Sequence, residues 1–378
     1  MTSLLVVGDF SPQGRLVDLH KQSPKDIFGD FFSTIAGVDL AILNLEAPLC
    51  KPAQSIVKTG PALHGNPEVV SFIADSGFGL ACLANNHILD YGPQGLAETM
   101  AGLHQAGIAQ VGAGQNYDEA AKPYLADLGN RRVAILNFAE NEWSTTRGDI
   151  PGACPIDPVR NFAAIQSARE QSDHLLVITH GGHERYALPS PGMQELFRFY
   201  IDAGADAVVN HHTHCTSGYE VHRGKPIIYS LGNFLFDSPQ TRNGAWTQGM
   251  GVELTFEEDE VSFQLHHFDQ CTEIELFRVV DDKEISIRNQ HLDRLNQIIQ
   301  DPDALAERFN AMTSERKRLY QAYLEPKLPR LIGAAQRRGW VPSLLSRRHR
   351  TLLLNLVRCE SHREIILELL KHDAGHSR

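Results

Sequence analysis

The sequence lacks the cysteine pairs and the long apolar runs that mark several common protein classes. Its six cysteines are scattered and form no Cys-x-x-Cys pair, which argues against a zinc–thiolate site and gives no disulfide framework. No apolar run approaches the roughly 20 residues of a membrane-spanning helix. Residues 1–9 carry no basic stretch ahead of their short apolar run, as a secretory signal would. We therefore expect reduced thiols, no membrane segment and a cytoplasmic location.

Positive charge is also scarce, since 35 basic residues face 46 acidic ones and the net charge is −11. This balance gives no case for nucleic acid as a partner. It does not exclude a phosphate substrate, because a bound divalent cation reverses the local field. The tail is more basic, with Arg337-Arg338 and residues 347–350 (RRHR). These runs indicate either solvated helix ends or a contact with a partner or an acidic polymer.

Histidine, in contrast, is concentrated in residues 208–215 (VVNHHTHC), where a β-branched run ends in three histidines within four positions. Such a run is typical of a buried strand that delivers side chains to a cleft. Burying three imidazoles is unfavourable unless each finds a partner. Neutral imidazole is a common metal ligand, so the stretch predicts a metal or phosphate site.

Other strand-like runs end in the same kinds of residue. At least six of them deliver, in chain order, Asp9, Glu46, Asn86 with His87, His180, His212 with His214, and Asn233. Each alone could be chance; Asp9, for example, would equally suit a turn or a helix cap. Together they predict a shared cleft whose carboxylate, amide and imidazole groups suit one or two divalent ions: Mn, Fe, Zn or Mg. Such ions would activate a water, with His87 as general acid.

The strand and helix signals predict a layered α/β chain whose character changes after about residue 270. We expect a catalytic-type domain over residues 1–270 and a helical extension over 271–378, including one helix over 352–370 with a buried stripe of Leu354, Val357, Ile365 and Leu369. The extension either docks on its own core or forms a homodimer contact. Two long loops, residues 47–66 and 140–158, are candidates for substrate recognition.

The order of these motifs resembles that of the calcineurin-like metallophosphatases. The residues within each motif most resemble one branch of this superfamily, the bacterial capsule-synthesis CapA (poly-γ-glutamate synthesis PgsA) family. The resemblance covers roughly residues 3–270 and rests on residues 44–49 (NLEAPL), 84–92 (ANNHILDYG), 202–206 (DAGAD) and 229–237 (YSLGNFLFD).

The resemblance implies a four-layer fold of two mixed β-sheets flanked by helices, with the site at the strand ends. It implies that Glu46 bridges two metals. One metal would be held by Asp9, Glu46 and His214, and the other by Glu46, Asn86, His180 and His212. His87 would act on the leaving group, with Asn86 beside it, while Asn44, Asn85 and Asn233 would support the ligands.

Several positions depart from the pattern. Ser11 stands where the superfamily has a histidine, so the first metal site lacks a ligand and would be weak, completed by water or empty. Glu46 replaces the usual aspartate. Gly181 and Arg185 replace the family's usual tryptophan and tyrosine, so His183, Glu184 and Arg185 either face the substrate or support the ligands. Arg185 suits a phosphate or carboxylate group. His211 replaces a glycine and is expected to be structural.

These features predict a metal-dependent hydrolase, a phosphoesterase using a metal-activated water, linked to capsule or cell-envelope polymer metabolism. Its substrate would be phosphorylated or an anionic polymer-related compound. Two alternatives stay open. One is a metal-dependent amide hydrolase. The other is a non-catalytic polymer-binding or assembly protein of capsule or poly-γ-glutamate synthesis, which Ser11 favours.

Overall fold

The computed structural model describes residues 1–146, 148–258, 260–324 and 345–373, with residues 335 and 340 between the last two ranges. Arg337-Arg338 lie outside the described residues. The strands are β1 (Thr2–Ser11), β2 (Leu40–Leu45), β3 (Phe78–Cys82), β4 (Ala109–Val111), β5 (Ala113–Gly114), β6 (Tyr124–Leu128), β7 (Arg131–Ala139), β8 (Gly152–Ala153), β9 (His174–His180), β10 (Ala207–His211), β11 (Tyr219–His222), β12 (Lys225–Ile228), β13 (Asn233–Phe236), β14 (Gln248–Phe256), β15 (Val261–Gln270) and β16 (Phe277–Val279).

The helices alternate with these strands and then dominate the C-terminal part. They are α1 (Pro24–Phe28), α2 (Phe31–Ala36), α3 (Val69–Asp75), α4 (Gly92–Gln105), α5 (Tyr117–Ala120), α6 (Pro158–Arg169), α7 (Pro191–Asp202), α8 (Asp282–Gln300), α9 (Pro302–Leu324), α10 (Arg347–Arg358) and α11 (Glu360–Asp373). Capping residues fix several starts: Ser190 accepts a hydrogen bond from the Met193 N–H, and Pro191 follows at the first helical position. Within the described ranges, every helix is too short or too polar to span a bilayer.

The strands form two large mixed sheets. The first has the order β16-β15-β14-β1-β2-β3-β4, with β13 also paired to β1. In it β1 runs parallel to β2 and β13 but antiparallel to β14. The second sheet has the order β11-β12-β10-β9-β7-β6, and β5 pairs with β8 in a small separate ribbon. Its central strands β7, β9, β10 and β12 are parallel to one another.

Side chains alternate across β1 and thereby separate two cores. Leu4 and Val6 belong to the core shared with the second sheet and with helices α6, α7 and α8. Leu5 and Val7 point to the other face, which is covered by helices α1 to α4. The layers are therefore helices, sheet, sheet and helices. This confirms the predicted α/β class with two mixed sheets flanked by helices.

The C-terminal helices form a third, smaller core. Phe309 of α9, Leu356 of α10 and Ile365 of α11 are buried together. The helices thus dock on their own chain. The predicted homodimer contact and the predicted boundary at residue 270 stay predictions, although β16 extends the first sheet beyond that residue by pairing with β15.

Two predictions about elements were wrong. The single helix over residues 352–370 is two helices, because Cys359 has an extended backbone (φ −73°, ψ 129°) between α10 and α11. The break resets the helical phase, so Leu354 and Val357 are 51% and 64% exposed, while Ile365 and Leu369 are buried. Asn233, predicted to follow the end of a strand, instead begins the separate strand β13, and the strand before it ends at Ile228.

Candidate metal centre

Strand pairing brings most of the predicted site residues to one edge of each sheet. In the first sheet, Asp9 of β1 pairs with Asn44 of β2 and with Asn233 of β13. In the second sheet, His180 of β9 pairs with His211 of β10. The His211 Nε2 lies 3.0 Å from the carbonyl oxygen of Val7, so this side chain links the two sheets. The two sets of side chains consequently face one another.

The turn after β10 is strained in a way that serves this arrangement. His212 and His214 both have positive φ angles, 92° and 55°, although neither is glycine. Such conformations are unfavourable for residues with a Cβ and persist where the surroundings impose them. Here the His212 N–H donates to the Asp9 Oδ2 at 3.1 Å, which ties the turn to the first sheet.

The first group of ligand-type atoms consists of Asp9, Glu46 and His214, all buried, with ligand atoms within 4.8 Å of one another. His214 Nδ1 lies 3.4 Å from Asp9 Oδ2, and His214 Nε2 lies 3.8 Å from Glu46 Oε1. Asn233 accepts a hydrogen bond from His214 Nδ1 at 2.9 Å, while its own amide nitrogen donates to Trp246. These contacts direct the Nε2 of His214 toward Glu46.

The second group consists of Glu46, His180 and His212. His180 Nε2 lies 3.6 Å from Glu46 Oε1, 3.0 Å from His212 Nδ1 and 3.1 Å from Asn86 Oδ1. Asn44 Nδ2 lies near the other ring nitrogen of His180, at 3.1 Å, and donates to Asp9 at 2.7 Å. The ligand-type atoms of Glu46, His180 and His212 thus lie within 4.8 Å of one another, and the Asn86 amide oxygen contacts one of them.

Glu46 belongs to both groups and provides the test of whether they fit a metal. Both of its carboxylate oxygens are buried and have no hydrogen-bond partner among the described residues. An unpartnered buried carboxylate is strongly unfavourable. Glu46 Oε1 lies 3.6 Å from the His180 ring nitrogen and 3.8 Å from that of His214, and both distances exceed hydrogen-bond length. Each distance suits a pair of ligands that share one ion, since two atoms about 2.1 Å from a tetrahedral metal lie about 3.4 Å apart. The buried groups could therefore hold metal ions.

The electrostatics agree with this interpretation. Burial and the neighbouring Asp9 carboxylate raise the pKa of Glu46 well above its ordinary value. Burial alone would lower the pKa of His214, but Glu46 and Asp9 outweigh it and raise that pKa to about 10. A proton on His214 thus compensates the two carboxylates, as a cation would. Burial, followed by the charge of His212, lowers the pKa of His180 well below 6.5, so this imidazole is neutral.

His87 is buried next to Glu46, with its Nε2 4.0 Å from Glu46 Oε1. Its other ring nitrogen lies 2.6 Å from Asp90 Oδ2, and the Lys58 ammonium contacts both His87 and Asp90. Burial and the Lys58 charge lower the pKa of His87, although Asp90 opposes them. Sequence reasoning missed Asp90 and Lys58; the position of Asp90 three residues after His87 was the available signal.

Asn85 stabilises the loop that carries Asn86 and His87. Its amide nitrogen donates to the Leu45 carbonyl at 2.8 Å, next to Glu46, and its carbonyl oxygen accepts from the His87 N–H at 3.1 Å. Asn86 Nδ2 in turn donates to Glu142 Oε2 at 3.1 Å. Glu142, in the second long loop, was not singled out from the sequence.

The residues after His180 separate in the structure. His183 is buried with its Nε2 3.5 Å from Glu364 Oε2 in α11, and its ring faces Phe309. Glu184 is exposed. Desolvation of its carboxyl group would raise the pKa of Glu184, but the neighbouring His214 and His212 outweigh this effect and lower that pKa.

Arg185 is exposed, has a positive φ of 61°, and holds its guanidinium 5.7 Å from the centre of the Trp246 ring. That indole ring is 4.5 Å from the ring of His214. Trp246 had no signal in the sequence. Ser11 is buried and accepts a hydrogen bond from Gln13 Nε2 at 2.8 Å, so it offers no imidazole to the first group.

Two mixed sheets with a buried carboxylate and imidazole cluster at the strand ends define an α/β protein with a candidate metal centre. Residues 3–238 match the model of a family described as bacterial capsule synthesis protein PGA_cap, so the chain belongs to this family. Every ligand-type residue of both groups lies within the matched range.

Curated relatives agree with the family. The chain is 32% identical over 250 residues to the capsule biosynthesis protein CapA of Bacillus anthracis, covering 64% of this chain and 61% of that protein. It is 35% identical over 183 residues to the PGA biosynthesis protein CapA of Bacillus subtilis, covering 48% of each. It is 31% identical over 212 residues to a probable polyglutamine synthesis accessory protein of Mycobacterium tuberculosis, covering 53% of this chain and 56% of that one. The chain spans about half to three-fifths of these relatives.

Among solved structures, TT1561 of Thermus thermophilus aligns with 70% of this chain and 98% of its own, at 9% identity and a TM-score of 0.39. A similarity this low carries no functional argument.

Proposed function

We propose that this protein is a metal-dependent phosphoester hydrolase acting on a phosphorylated or anionic compound in capsule or cell-envelope polymer metabolism. The observation that supports this most is Glu46, whose two oxygens have no hydrogen-bond partner among the described residues and lie between the Asp9–His214 pair and the His180–His212 pair. A carboxylate in that place can bridge two ions. We propose a role in polymer metabolism because two relatives are named as capsule and PGA biosynthesis proteins.

The donor set determines which ions would be bound. Carboxylate, amide and imidazole groups without thiolate suit Mn, Fe, Zn or Mg. When bound, such ions polarise a phosphoester and lower the pKa of water to near neutrality. Asn86 Oδ1 completes the Glu46–His180–His212 group as a fourth donor, while Ser11 leaves the other group with three.

His87 is proposed to protonate the leaving oxygen. Asp90 contacts its Nδ1 at 2.6 Å and fixes the ring, so the Nε2 faces the interior of the site near Glu46. A general acid in this position typically contributes about 10²–10⁴-fold to the rate. Burial and the Lys58 ammonium together lower the pKa of His87 although Asp90 opposes them, which favours proton donation.

Arg185 is proposed to hold the anionic part of the substrate. It is exposed beside Trp246, and Trp246 packs against the ligand His214. Because the Trp246 ring separates this guanidinium from His214, Arg185 can pair with a phosphate or carboxylate group without blocking the proposed ligands.

Ser11 favours one alternative, a non-catalytic polymer-binding or assembly protein. The group around Asp9 lacks the histidine that this position would supply, and the buried Ser11 hydroxyl is bonded to Gln13. If only one ion binds, a two-ion hydrolysis would not operate.

Metal analysis of the purified protein together with a phosphoesterase screen tests the proposal. Aryl phosphate monoesters and diesters serve as substrates, and a γ-glutamyl anilide tests the amide-hydrolase alternative. We expect bound metal and diester or monoester hydrolysis in the wild type. His87→Ala should retain the metal and lose activity about 10²–10⁴-fold, whereas His212→Ala should lose both the activity and the metal bound at the Glu46–His180–His212 group.

His104→Ala is the matched control, because His104 lies exposed on α4 and should leave metal and activity unchanged. A metal-free protein, or activity that neither site variant reduces, contradicts the proposal. Binding of an anionic polymer that survives both site variants would instead support the non-catalytic alternative.

A further inference from the structure

The geometry points to a further divalent-metal site, separate from the Glu46 centre and formed by Glu142, Cys359 and His362. One ligand-type atom from each of these residues lies within 4.8 Å of the other two. Glu142 belongs to the loop after β7, Cys359 joins α10 to α11, and His362 lies in the first turn of α11. The scattered cysteines gave no sign of this site, because its ligands come from segments more than 200 residues apart.

The distances favour a shared ion over direct hydrogen bonds. Glu142 Oε1 and His362 Nε2 are 3.6 Å apart, which is too long for a hydrogen bond. Two ligands of one tetrahedral ion are expected about 3.4 Å apart. The same spacing separates Glu46 from His180 in the first centre, at 3.6 Å.

Both side chains are oriented by their other polar atoms, as metal ligands usually are. The Tyr320 hydroxyl lies 2.6 Å from His362 Nδ1, which directs Nε2 toward Glu142. Glu142 Oε2 accepts from Asn86 Nδ2, which leaves Oε1 on the side of His362. Neither residue needs to give up these contacts to bind an ion.

Asn355 supplies an independent observation. Its side chain is only 3% exposed, and its Oδ1 is buried without a hydrogen-bond partner among the described residues. Its Nδ2 lies 3.4 Å from Glu142 Oε1, a long contact. Exchanging the two ends of the amide, which are not distinguished by shape, would turn the unpartnered oxygen toward the same point as a fourth ligand.

Cys359 determines which ion the site prefers. Cys359 lies at the break between α10 and α11, and its thiol donates a hydrogen bond to Glu140 Oε2 at 3.3 Å. On metal binding, the S–H bond breaks, a sulfur–metal bond forms and the proton is released to solvent. One thiolate, one imidazole and carboxylate or amide oxygens suit Zn²⁺ and disfavour Mg²⁺. An ion here would cross-link the C-terminal helices to the loop that contacts Asn86.

Cobalt spectroscopy of the full-length, metal-stripped protein distinguishes this site from the first centre, which contains no thiolate. On addition of Co²⁺ we expect a thiolate-to-cobalt charge-transfer band in the wild type. Cys359→Ser should abolish the band and reduce zinc content by one ion per chain. His212→Ala, which disables the first centre, should retain the band, so the result does not depend on hydrolase activity.

Cys215→Ser is the control, since this thiol lies next to His214 and is the one nearest in sequence to the first centre. It should leave the band intact. His362→Gln provides a second variant at a partly exposed position should Cys359→Ser fail to fold, and it should weaken the band at least tenfold at limiting Co²⁺. Absence of the band in the wild type, its persistence in Cys359→Ser or its loss in Cys215→Ser would overturn the inference.

Discussion

Glu46 is the one residue shared by both groups of ligand-type atoms at the site. It is completely buried, its oxygens have no partner among the described residues, and Asp9 lies nearby with a second carboxylate. Without a cation this arrangement destabilises the fold, because desolvation and like-charge repulsion act together. A bound cation would offset both effects, so the arrangement would trade stability of the metal-free protein for metal affinity.

Glu46→Gln tests this trade. In chelator at neutral pH, the variant should be about 1–3 kcal/mol more stable than the wild type, because glutamine avoids the cost of burying the carboxylate or of keeping it protonated. With Mn²⁺ or Zn²⁺ the order should reverse, since only the wild type gains the binding energy of an ion at the Glu46 centre. Thermal unfolding with and without metal measures both effects. Equal responses of the two proteins to metal would contradict the role of Glu46 as a bridging ligand.

Glu140 is a second buried carboxylate, at the end of β7. Burial and the negative charge of Glu360 raise its pKa to about 8, despite hydrogen bonds from Ser361, Gly182 and Cys359. Since the ordinary value is 4.5, the folded protein holds this proton between pH 4.5 and about 8, while the unfolded chain releases it. The contribution of Glu140 to stability is therefore present at low pH and declines as the pH rises through this window.

Glu140→Gln should remove that pH dependence. A glutamine can accept the bonds from Gly182 and Ser361 without titrating. We expect the difference in unfolding free energy between variant and wild type to shift in favour of the variant by about 1.4 kcal/mol per pH unit between pH 5 and 8. Urea unfolding in chelator at pH 5, 6.5 and 8 measures it. A difference independent of pH would show that Glu140 is already ionised in the folded protein.

At the scale of elements, the close approach of β1 to the start of β13 positions Asp9. A Cβ on Gly8 would lie 2.1 Å from the Gly232 carbonyl oxygen, so only glycine permits this contact. The same carbonyl accepts a hydrogen bond from the Asp9 N–H at 3.1 Å. The two strands therefore set the position of the Asp9 carboxylate relative to His214.

Gly8→Ala should force the strands apart. We expect a loss of about 1–3 kcal/mol or more in unfolding free energy, and weaker metal binding. Gly102→Ala is the control, because no atom lies within 4 Å of its added Cβ and the residue is inside α4. It should be neutral or stabilise by about 0.5–1 kcal/mol. Urea unfolding and metal titration of both variants test the comparison, and equal effects would contradict it.

Element type could be predicted from local pattern, but element ends could not. The all-buried strand β9 was recognisable as an apolar run between turns, because a strand covered on both faces has no polar alternation. The break at Cys359 was not recognisable, since residues 352–370 contain neither proline nor glycine. The break is fixed by contacts with the loop after β7. Cys359 and Ser361 hydrogen-bond to Glu140, and Glu360 hydrogen-bonds to Asn141.

At the scale of the whole molecule, the C-terminal helices hold the loop that follows β7. Arg358 donates to the carbonyl oxygens of Asn141 and Glu142 and to the Thr145 hydroxyl, and its guanidinium lies over the Trp143 ring. Glu360 accepts from the Asn141 N–H at 2.9 Å. Because Glu142 in the same loop contacts Asn86, these helices support the candidate metal centre from outside.

Arg358→Ala should loosen this docking without unfolding the sheets. We expect amide exchange over residues 347–373 to accelerate roughly 10–100-fold, with little change in β9 and β10. Arg363→Ala is the matched control, since Arg363 is 50% exposed and lies 4.0 Å from Glu360. Hydrogen–deuterium exchange measures both. Uniform acceleration across the whole chain would contradict local docking.

The sequence by itself determined the class of fold and the set of ligand-type residues around Glu46. Buried strands are readable from local apolar runs, and a parallel sheet necessarily brings its strand ends to one edge. Asp9, Glu46, Asn86, His180, His212 and His214 were therefore recognisable together, although their catalytic roles stay predictions.

Only the tertiary structure decided the partners of those residues. Asp90 and Lys58 at His87, Trp246 at His214, and Glu142 at Asn86 come from loops whose sequences have no periodicity. His183 is adjacent to the ligand segment yet faces α11. Such contacts depend on how elements distant in the chain pack, so no local pattern encodes them. For the same reason, Glu142, Cys359 and His362 became a candidate site only once the C-terminal helices were docked.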